Sequence, residues 1–313
     1  MRILRSIEEL ASAPRGAHLA IGNFDGVHLG HRALLAAVVD SARRSGHIAA
    51  ALTFDPHPTR ILRPDSAPPL ITPLPEKIRL VQETGIDLLL VLPFSRDLSL
   101  LSPREFVAKV LHDGLGVSEV HEGENFRFGH RHAGDIATLQ RLGEEYGFGV
   151  RVHPPVTIRG EVVSSSRIRE WIAQGRVDRA GRLLGRCFSV RGAIVGGQGI
   201  GRRLTVPTLN LERYSELLPK RGVYVTESIL AGRRFPSVTN VGVRPTFGGG
   251  ELVVESHLLN FEPVAAREVE IAFRYRLRDE RKFDSPAELN AQIGRDVRRA
   301  QAYWRRCQAV AGS

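Results

Sequence analysis

The stretch His18-Leu19-Ala20-Ile21-Gly22-Asn23-Phe24-Asp25-Gly26-Val27-His28-Leu29-Gly30-His31 decides how the first half of the chain folds. From His18 to Phe24 it is a short apolar run closed by glycine and asparagine, which reads as a strand. From His31 to Ser45 apolar residues recur at Leu34, Leu35, Val38 and Ala42, the spacing of a helix. Between the two, His28 and His31 stand at a helix start, where free backbone N–H groups and the helix dipole favour an anion. Gly30 would let the backbone approach a phosphate closely, and the imidazoles would add hydrogen bonds and, when protonated, charge. A zinc reading needs a third ligand, which no obvious spacing supplies. Two ordinary surface histidines would leave the glycines unexplained, so phosphate binding is the favoured reading.

Working outward, the alternation continues. Ile48–Phe54, Ile86–Leu92, Val117–His121 and Val150–Val152 read as strands, and Glu76–Thr84, Pro103–Leu111 and Asp135–Tyr146 as helices. Such alternation predicts an α/β fold: a parallel sheet with helices on both faces and ligands beyond the C-terminal strand ends. Two helical pieces follow, Ser166–Gln174 and Asp178–Leu184. After Gly185 the pattern changes to short β-like runs at 188–195, 222–229, 237–241, 252–261 and 268–275, separated by turn residues. This predicts an antiparallel barrel or sandwich, closed by a helix from Ser285-Pro286. The domains are therefore expected at 1–184 and 185–313.

A chain of 313 residues with 42% apolar and 25% charged residues suits two globular domains. No apolar stretch approaches membrane-spanning length, and the N-terminus turns acidic after two short apolar groups, so neither a membrane span nor a signal peptide is expected. The two cysteines, Cys187 and Cys307, lack metal-ligand spacing; they suit a cytoplasmic protein and are expected to be packing residues. The net charge of +10 raises the question of nucleic acid. Yet lysine occurs only at 77, 109, 220 and 282, the arginines are spread along the chain and aromatics are 6%, a pattern of coding bias rather than of a nucleic-acid surface. No nucleic-acid partner is expected, and oligomeric state is not legible.

Four ordered motifs carry a family resemblance. Gly22 to His31, Thr53-Phe54-Asp55-Pro56-His57-Pro58, Gly123-Glu124-Asn125-Phe126-Arg127-Phe128-Gly129 and Ser164-Ser165-Ser166-Arg167-Ile168-Arg169 resemble those of the bacterial bifunctional riboflavin kinase/FMN adenylyltransferases, or FAD synthetases. The resemblance implies a Rossmann-like nucleotidylyltransferase domain that transfers AMP from ATP to FMN. It places ATP at Gly22, Phe24, Asp25, Gly30, Ser165, Ser166 and Arg169, with His28 and His31 as the catalytic pair holding the triphosphate. FMN would lie by Asn125 and His57. For Asp55 and His57, shaping the D-P-H-P turn is the alternative, evenly matched for His57.

The segment Gly196-Gly197-Gln198-Gly199-Ile200-Gly201 is not a dinucleotide fingerprint, because the chain after it contains Pro207 and reads as extended. No Walker A sequence occurs either. The resemblance instead implies a riboflavin-kinase barrel. Thr208 and Asn210, two apart on an extended segment, share a face and suit Mg2+ bridging ATP phosphates. By the same resemblance Glu255 is the base for the riboflavin 5′-hydroxyl; without it, a glutamate paired to an arginine is preferred. Leu277-Arg278-Asp279-Glu280-Arg281-Lys282-Phe283 also matches the family. Thr205, Val206 and Leu209 replace the family's glycine, phenylalanine and alanine, and Glu262-Pro263-Val264-Ala265-Ala266 replaces a Leu-Tyr-Gly turn. The expected activities are riboflavin phosphorylation and FMN adenylylation. The alternatives are an adenylyltransferase with a regulatory flavin-binding C-terminal domain and, from another class, a nucleic-acid-binding protein.

Overall fold

The computed structural model describes residues 1–12, 14–195, 203–204, 208–212, 214–246 and 249–311. It divides into two compact units, Met1–Ser165 and Ser166–Ser313. In the first, β1 (Arg2–Leu4), β2 (His18–Ile21), α1 (Leu29–Ser45), β3 (Ala49–Asp55), α2 (Pro58–Leu62), α3 (Leu74–Gln82) and β4 (Leu88–Pro93) come first. There follow α4 (Arg96–Leu100), α5 (Pro103–Phe106), β5 (Glu119–Gly123), α6 (Ile136–Tyr146), β6 (Gly149–His153) and a small hairpin of β7 (Thr157–Ile158) and β8 (Glu161–Val162). Helix α7 (Ser165–Ala173) crosses from one unit into the other.

The six main strands form one parallel sheet in the order β1-β4-β3-β2-β5-β6. Side-chain alternation divides its two cores. Leu19, Leu52 and Leu90 face Phe106 and Leu139 on one side. Ala20, Ala51 and Leu89 face Leu35 and Val38 of α1 and Leu80 of α3 on the other. Burial on both faces is why Leu88–Leu92 is continuously apolar rather than alternating. From β2 the chain builds outward through β3 and β4, then returns to place β5 and β6 on the opposite side. The strand order reverses between β2 and β5, where a doubly wound sheet opens its ligand crevice.

Local differences from the expected elements have physical causes. Strand β2 stops at Ile21 because Phe24 takes φ +46°, in the left-handed region a strand cannot use. The helix expected to end at Leu111 opens with a Ser102–Glu105 capping box and continues as a wider π-helical segment through Leu115. Strand β1 was invisible to periodicity because three residues are too few to show one.

The second unit contains α8 (Val177–Leu184), β9 (Phe188–Val195), β10 (Arg203–Leu204), β11 (Thr208–Leu211), β12 (Gly222–Leu230) and β13 (Arg233–Thr246). It continues with β14 (Gly249–Leu258), β15 (Val264–Ala265), β16 (Glu268–Arg278) and α9 (Pro286–Ala311). Six strands close an antiparallel barrel in the order β11-β14-β13-β12-β16-β9. The outer face of β12 presents Val225 to Ala300 and Val297 of α9. The inner face is aromatic at Tyr224, packed on Phe273, which stacks on Phe188, and polar at Thr226 and Ser228. Those two hydroxyls join Ser237, Thr239 and Ser256 in a closed ring of five hydrogen bonds of 2.7–2.9 Å, all of them fully buried. Each hydroxyl can donate once and accept once around the ring, so the polar core is satisfied.

Cys187 is half-buried, but Cys307 is exposed, so only the first packs as expected. Among the described residues no helix is long and apolar enough to cross a membrane. Gly196–Gly201, Thr205 and Val206 lie outside the described residues.

Candidate active sites

Three of the four motifs follow the C-terminal end of a parallel strand, and the fourth, from Ser164, follows the β7–β8 hairpin. Gly22 to His28 leaves β2, Pro56-His57-Pro58 leaves β3, and Glu124-Asn125-Phe126 leaves β5. His28 is the N-cap of α1: its Nδ1 accepts the His31 backbone N–H at 3.2 Å. That bond fixes the neutral tautomer, leaving Nε2–H as the donor. The His28 and His31 rings stack with centroids 3.5 Å apart and 15° between planes. Phe24, buried and edge-on to His31 at 5.3 Å, sets the outer wall.

Both glycines here make room for rings. A Cβ on Gly22 would meet the Phe24 ring at 3.0 Å, and one on Gly30 the His28 ring at 3.2 Å. His31 Nδ1 is buried with no hydrogen-bond partner among the described residues. Burial, reinforced by the nearness of His28 and Lys77, holds its imidazole well below the usual pKa. A pair of neutral, stacked imidazoles at a helix N-terminus is poised to receive an anion.

Asp25 has a different immediate task. Its carboxylate accepts the N–H groups of Ile71 and Thr72 at 3.1 and 3.0 Å, and its carbonyl accepts the Ser165 hydroxyl at 2.8 Å. It thereby ties three segments around the imidazole pair. Ser166 and Arg169 follow Ser165 along α7, within the second unit.

Sequence reasoning missed Lys77, which is 3% exposed on α3. Burial lowers its pKa, against the opposing pull of Asp25 and Asp55. A buried ammonium beside His31 is costly unless anions compensate it. The available signal was its rarity: one of four lysines among 44 basic residues. Glu122 was missed as well. It accepts the Ile21 N–H at 2.7 Å from a fully enclosed position, and burial pushes its carboxyl well above the usual range.

Two cavities meet at this end of the sheet. One, of about 590 Å³, is lined by Gly22, Phe24, His28, Gly30, His31, Asn125 and Ser165. The other, of about 630 Å³, has walls of Phe54, Phe94, Phe106, Phe126 and Phe128 with His57 and Arg127. Ile21 and Phe126 line both. His57 caps α2 through Nδ1, which accepts the Thr59 N–H at 3.3 Å, and also faces the aromatic cavity. It therefore shapes the turn and lines a pocket at once. Asn125 belongs to the first cavity, next to the shared Phe126.

In the barrel, Asn210 on β11 pairs in register with Glu255 on β14, and Asn240 on β13 pairs with Glu255 from the other side. Thr208 pairs with His257, its hydroxyl 3.1 Å from the ring Nδ1. Alternation puts Thr208, Asn210, Glu255, His257 and Asn240 on one face, opposite the hydroxyl ring that Ser256 enters. Asn210 Oδ1 is buried without a hydrogen-bond partner among the described residues. An orphaned amide oxygen beside a threonine hydroxyl and a carboxylate is an oxygen donor set that fits a hard divalent cation. Asn240 gave no motif signal; only the register reveals it. Leu209 turns into the core, 2% exposed. The altered segment at 262–266 still forms a ladder, Val264 and Ala265 pairing with Leu204 and Arg203.

A parallel sheet with an imidazole pair at its switch point in one unit, and a barrel carrying an oxygen donor set and a carboxylate in the other, define a two-unit nucleotide-dependent transferase. Residues 10–167 match the FAD synthetase family model and 184–304 the riboflavin kinase model. The chain is 36% identical over 97% of its length, and 98% of the relative, to the bifunctional riboflavin kinase/FMN adenylyltransferase of Escherichia coli K12. To that of Pseudomonas fluorescens it is 37% identical over 96% and 97%. A crystal structure described as a macrolide-efflux protein from Streptococcus pneumoniae covers 96% of this chain and 99% of its own, at 27% identity and a TM-score of 0.83. The efflux description belongs to that protein. The present chain belongs to the bifunctional riboflavin kinase/FMN adenylyltransferase family.

Proposed function

We propose that the chain makes FMN from riboflavin in its barrel and FAD from FMN at its parallel sheet, consuming ATP in both steps. The observation that carries the second activity is the stacked His28–His31 pair at the N-terminus of α1, opening beside an aromatic cavity. The isoalloxazine ring suits walls of five phenylalanines, and the triphosphate suits the imidazoles. An FMN phosphate oxygen attacks the α-phosphorus of ATP, a new P–O bond forms and the bond to pyrophosphate breaks. No covalent enzyme intermediate is needed, so alignment and charge stabilisation do the work. His28 donates through Nε2–H, and His31 and Lys77 supply further positive character to the leaving pyrophosphate. Ser165, Ser166 and Arg169 complete the triphosphate site in this reading, and Asn125 and His57 the FMN site.

In the barrel, Glu255 accepts the proton of the riboflavin 5′-hydroxyl as that oxygen bonds to the γ-phosphorus, the bond from that phosphorus to the β–γ bridging oxygen breaks and ADP leaves. Asn210 and Thr208 would hold the divalent ion, proposed to be Mg2+, which would supply positive charge to the phosphates; the orphaned Asn210 oxygen supports this. We further propose residues 1–184 and 185–313 as the functional domains, a cytoplasmic location and no nucleic-acid partner. Product analysis with riboflavin and with FMN supplied separately, each with Mg-ATP, tests the proposal. FMN from the first and FAD from the second are expected. No FMN from riboflavin would leave a regulatory barrel instead.

A further inference from the structure

A second histidine cluster lies on the sheet face covered by α1, apart from the nucleotide pair. His18 opens β2 and stands in register with Glu119, which opens β5; His121 follows two residues later on the same face. His18 Nδ1 is 3.4 Å from Glu119 Oε1, and His121 Nε2 is 2.8 Å from that same oxygen. These three ligand atoms lie within 4.8 Å of one another. His18 is 5% exposed and His121 1%.

A hydrogen-bonded core cluster would be the plain explanation, but it leaves one atom unaccounted for. His18 Nε2 has two polar neighbours, the Ser45 hydroxyl and His47 Nδ1, each at 3.1 Å; Ser45 donates to the Ser41 carbonyl at 2.9 Å and can then accept from His18 Nε2–H. In the neutral ring Nδ1 is then a lone pair, and it has no hydrogen-bond partner among the described residues. That lone pair faces a carboxylate oxygen. This lone pair and Glu119 Oε1, which also accepts the Ser41 hydroxyl at 2.6 Å, are unfavourable neighbours unless a proton or a metal cation joins them.

We infer that His18 Nδ1, Glu119 Oε1 and His121 Nε2 form a site for one zinc-class transition-metal ion. Two imidazoles and one carboxylate suit zinc or cobalt better than magnesium or calcium, which favour all-oxygen sets. Ligands at zinc distances in a tetrahedron sit roughly 3.3 Å apart, close to the present His18–Glu119 separation. The surrounding shell is already built. Ser45 orients His18, Arg151 Nε holds Glu119 Oε2 at 2.7 Å, and His153 Nε2 lies 3.0 Å from His121 Nδ1. His153 also lines the first cavity, so the ion would brace β2, β5 and β6 beneath the nucleotide site.

The full chain, stripped with chelator, is titrated with Co2+ and Zn2+. One cobalt per chain with visible d–d absorption, displaced by zinc, is expected, along with a rise in Tm. His18→Gln and His121→Gln should each weaken cobalt binding by at least about tenfold, while His28→Ala keeps the spectrum. Should a variant misfold by circular dichroism, X-ray absorption on the unmodified cobalt protein must count two imidazole ligands. No absorption band, a band unchanged in both cluster variants, or one lost only in His28→Ala would each overturn the site.

Discussion

The imidazoles of His28 and His31 lie face to face, 3.5 Å apart, and the His28 Nδ1 caps the helix by accepting the His31 backbone N–H. One residue thus holds the backbone of the other while their rings stack. Local structure and chemistry are joined at this contact.

Removing either ring should weaken stabilisation of the departing pyrophosphate. We expect His28→Ala and His31→Ala each to lower FAD formation from FMN by at least about tenfold. Steady-state assays with FMN and Mg-ATP check this, and parent rates in both variants would refute the roles assigned.

The burial of His31 makes a pH-linked prediction. Its folded pKa lies well below the ordinary 6.5, so below that pH the unfolded chain takes a proton that the folded chain refuses. Stability is therefore full above the unfolded pKa and falls as pH drops, by up to about 1.4 kcal/mol per pH unit for one proton. His31→Asn should shed one proton's share of that acid slope, measured by denaturant unfolding between about pH 7 and pH 5. Pyrophosphate should reverse the burden by favouring the charged ring. Its binding to the parent protein should take up a proton, seen as a buffer-dependent calorimetric heat, and the variant should lose this uptake.

The kinase chemistry should separate cleanly. Glu255→Gln removes the base while keeping a side chain of the same size between Asn210 and Asn240. Riboflavin phosphorylation should fall to background, with FAD formation from added FMN nearly unchanged. Equal loss of both activities would mean that Glu255 supports folding rather than proton transfer.

The hydroxyl ring in the barrel predicts coupling. Thr226→Val leaves Ser237 and Thr239 each short of a partner in a fully buried core, at a cost of about 1–3 kcal/mol. In a double-mutant cycle, Ser237→Ala made with Thr226→Val should cost less than the sum of the two single changes. Strict additivity, read from chemical denaturation, would show that the five hydroxyls do not act as one network.

Apolar periodicity and turn residues act locally, so the sequence alone shows the change of fold near the middle of the chain. It also shows where the glycine and histidine motif sits, since a strand end, glycines and a helix start are contiguous from Gly22 to His31. Thr208 and Asn210 shared a face by alternation alone. What neighbours such residues meet depends on sheet order and register, which bring distant segments together. Only the tertiary structure could turn Asp25 toward Ile71 and Thr72, bury Lys77 beside His31, and set Asn240 against Glu255. The same holds for His18, Glu119 and His121. They became neighbours because β2 and β5, far apart in the chain, pair at the reversal of the sheet.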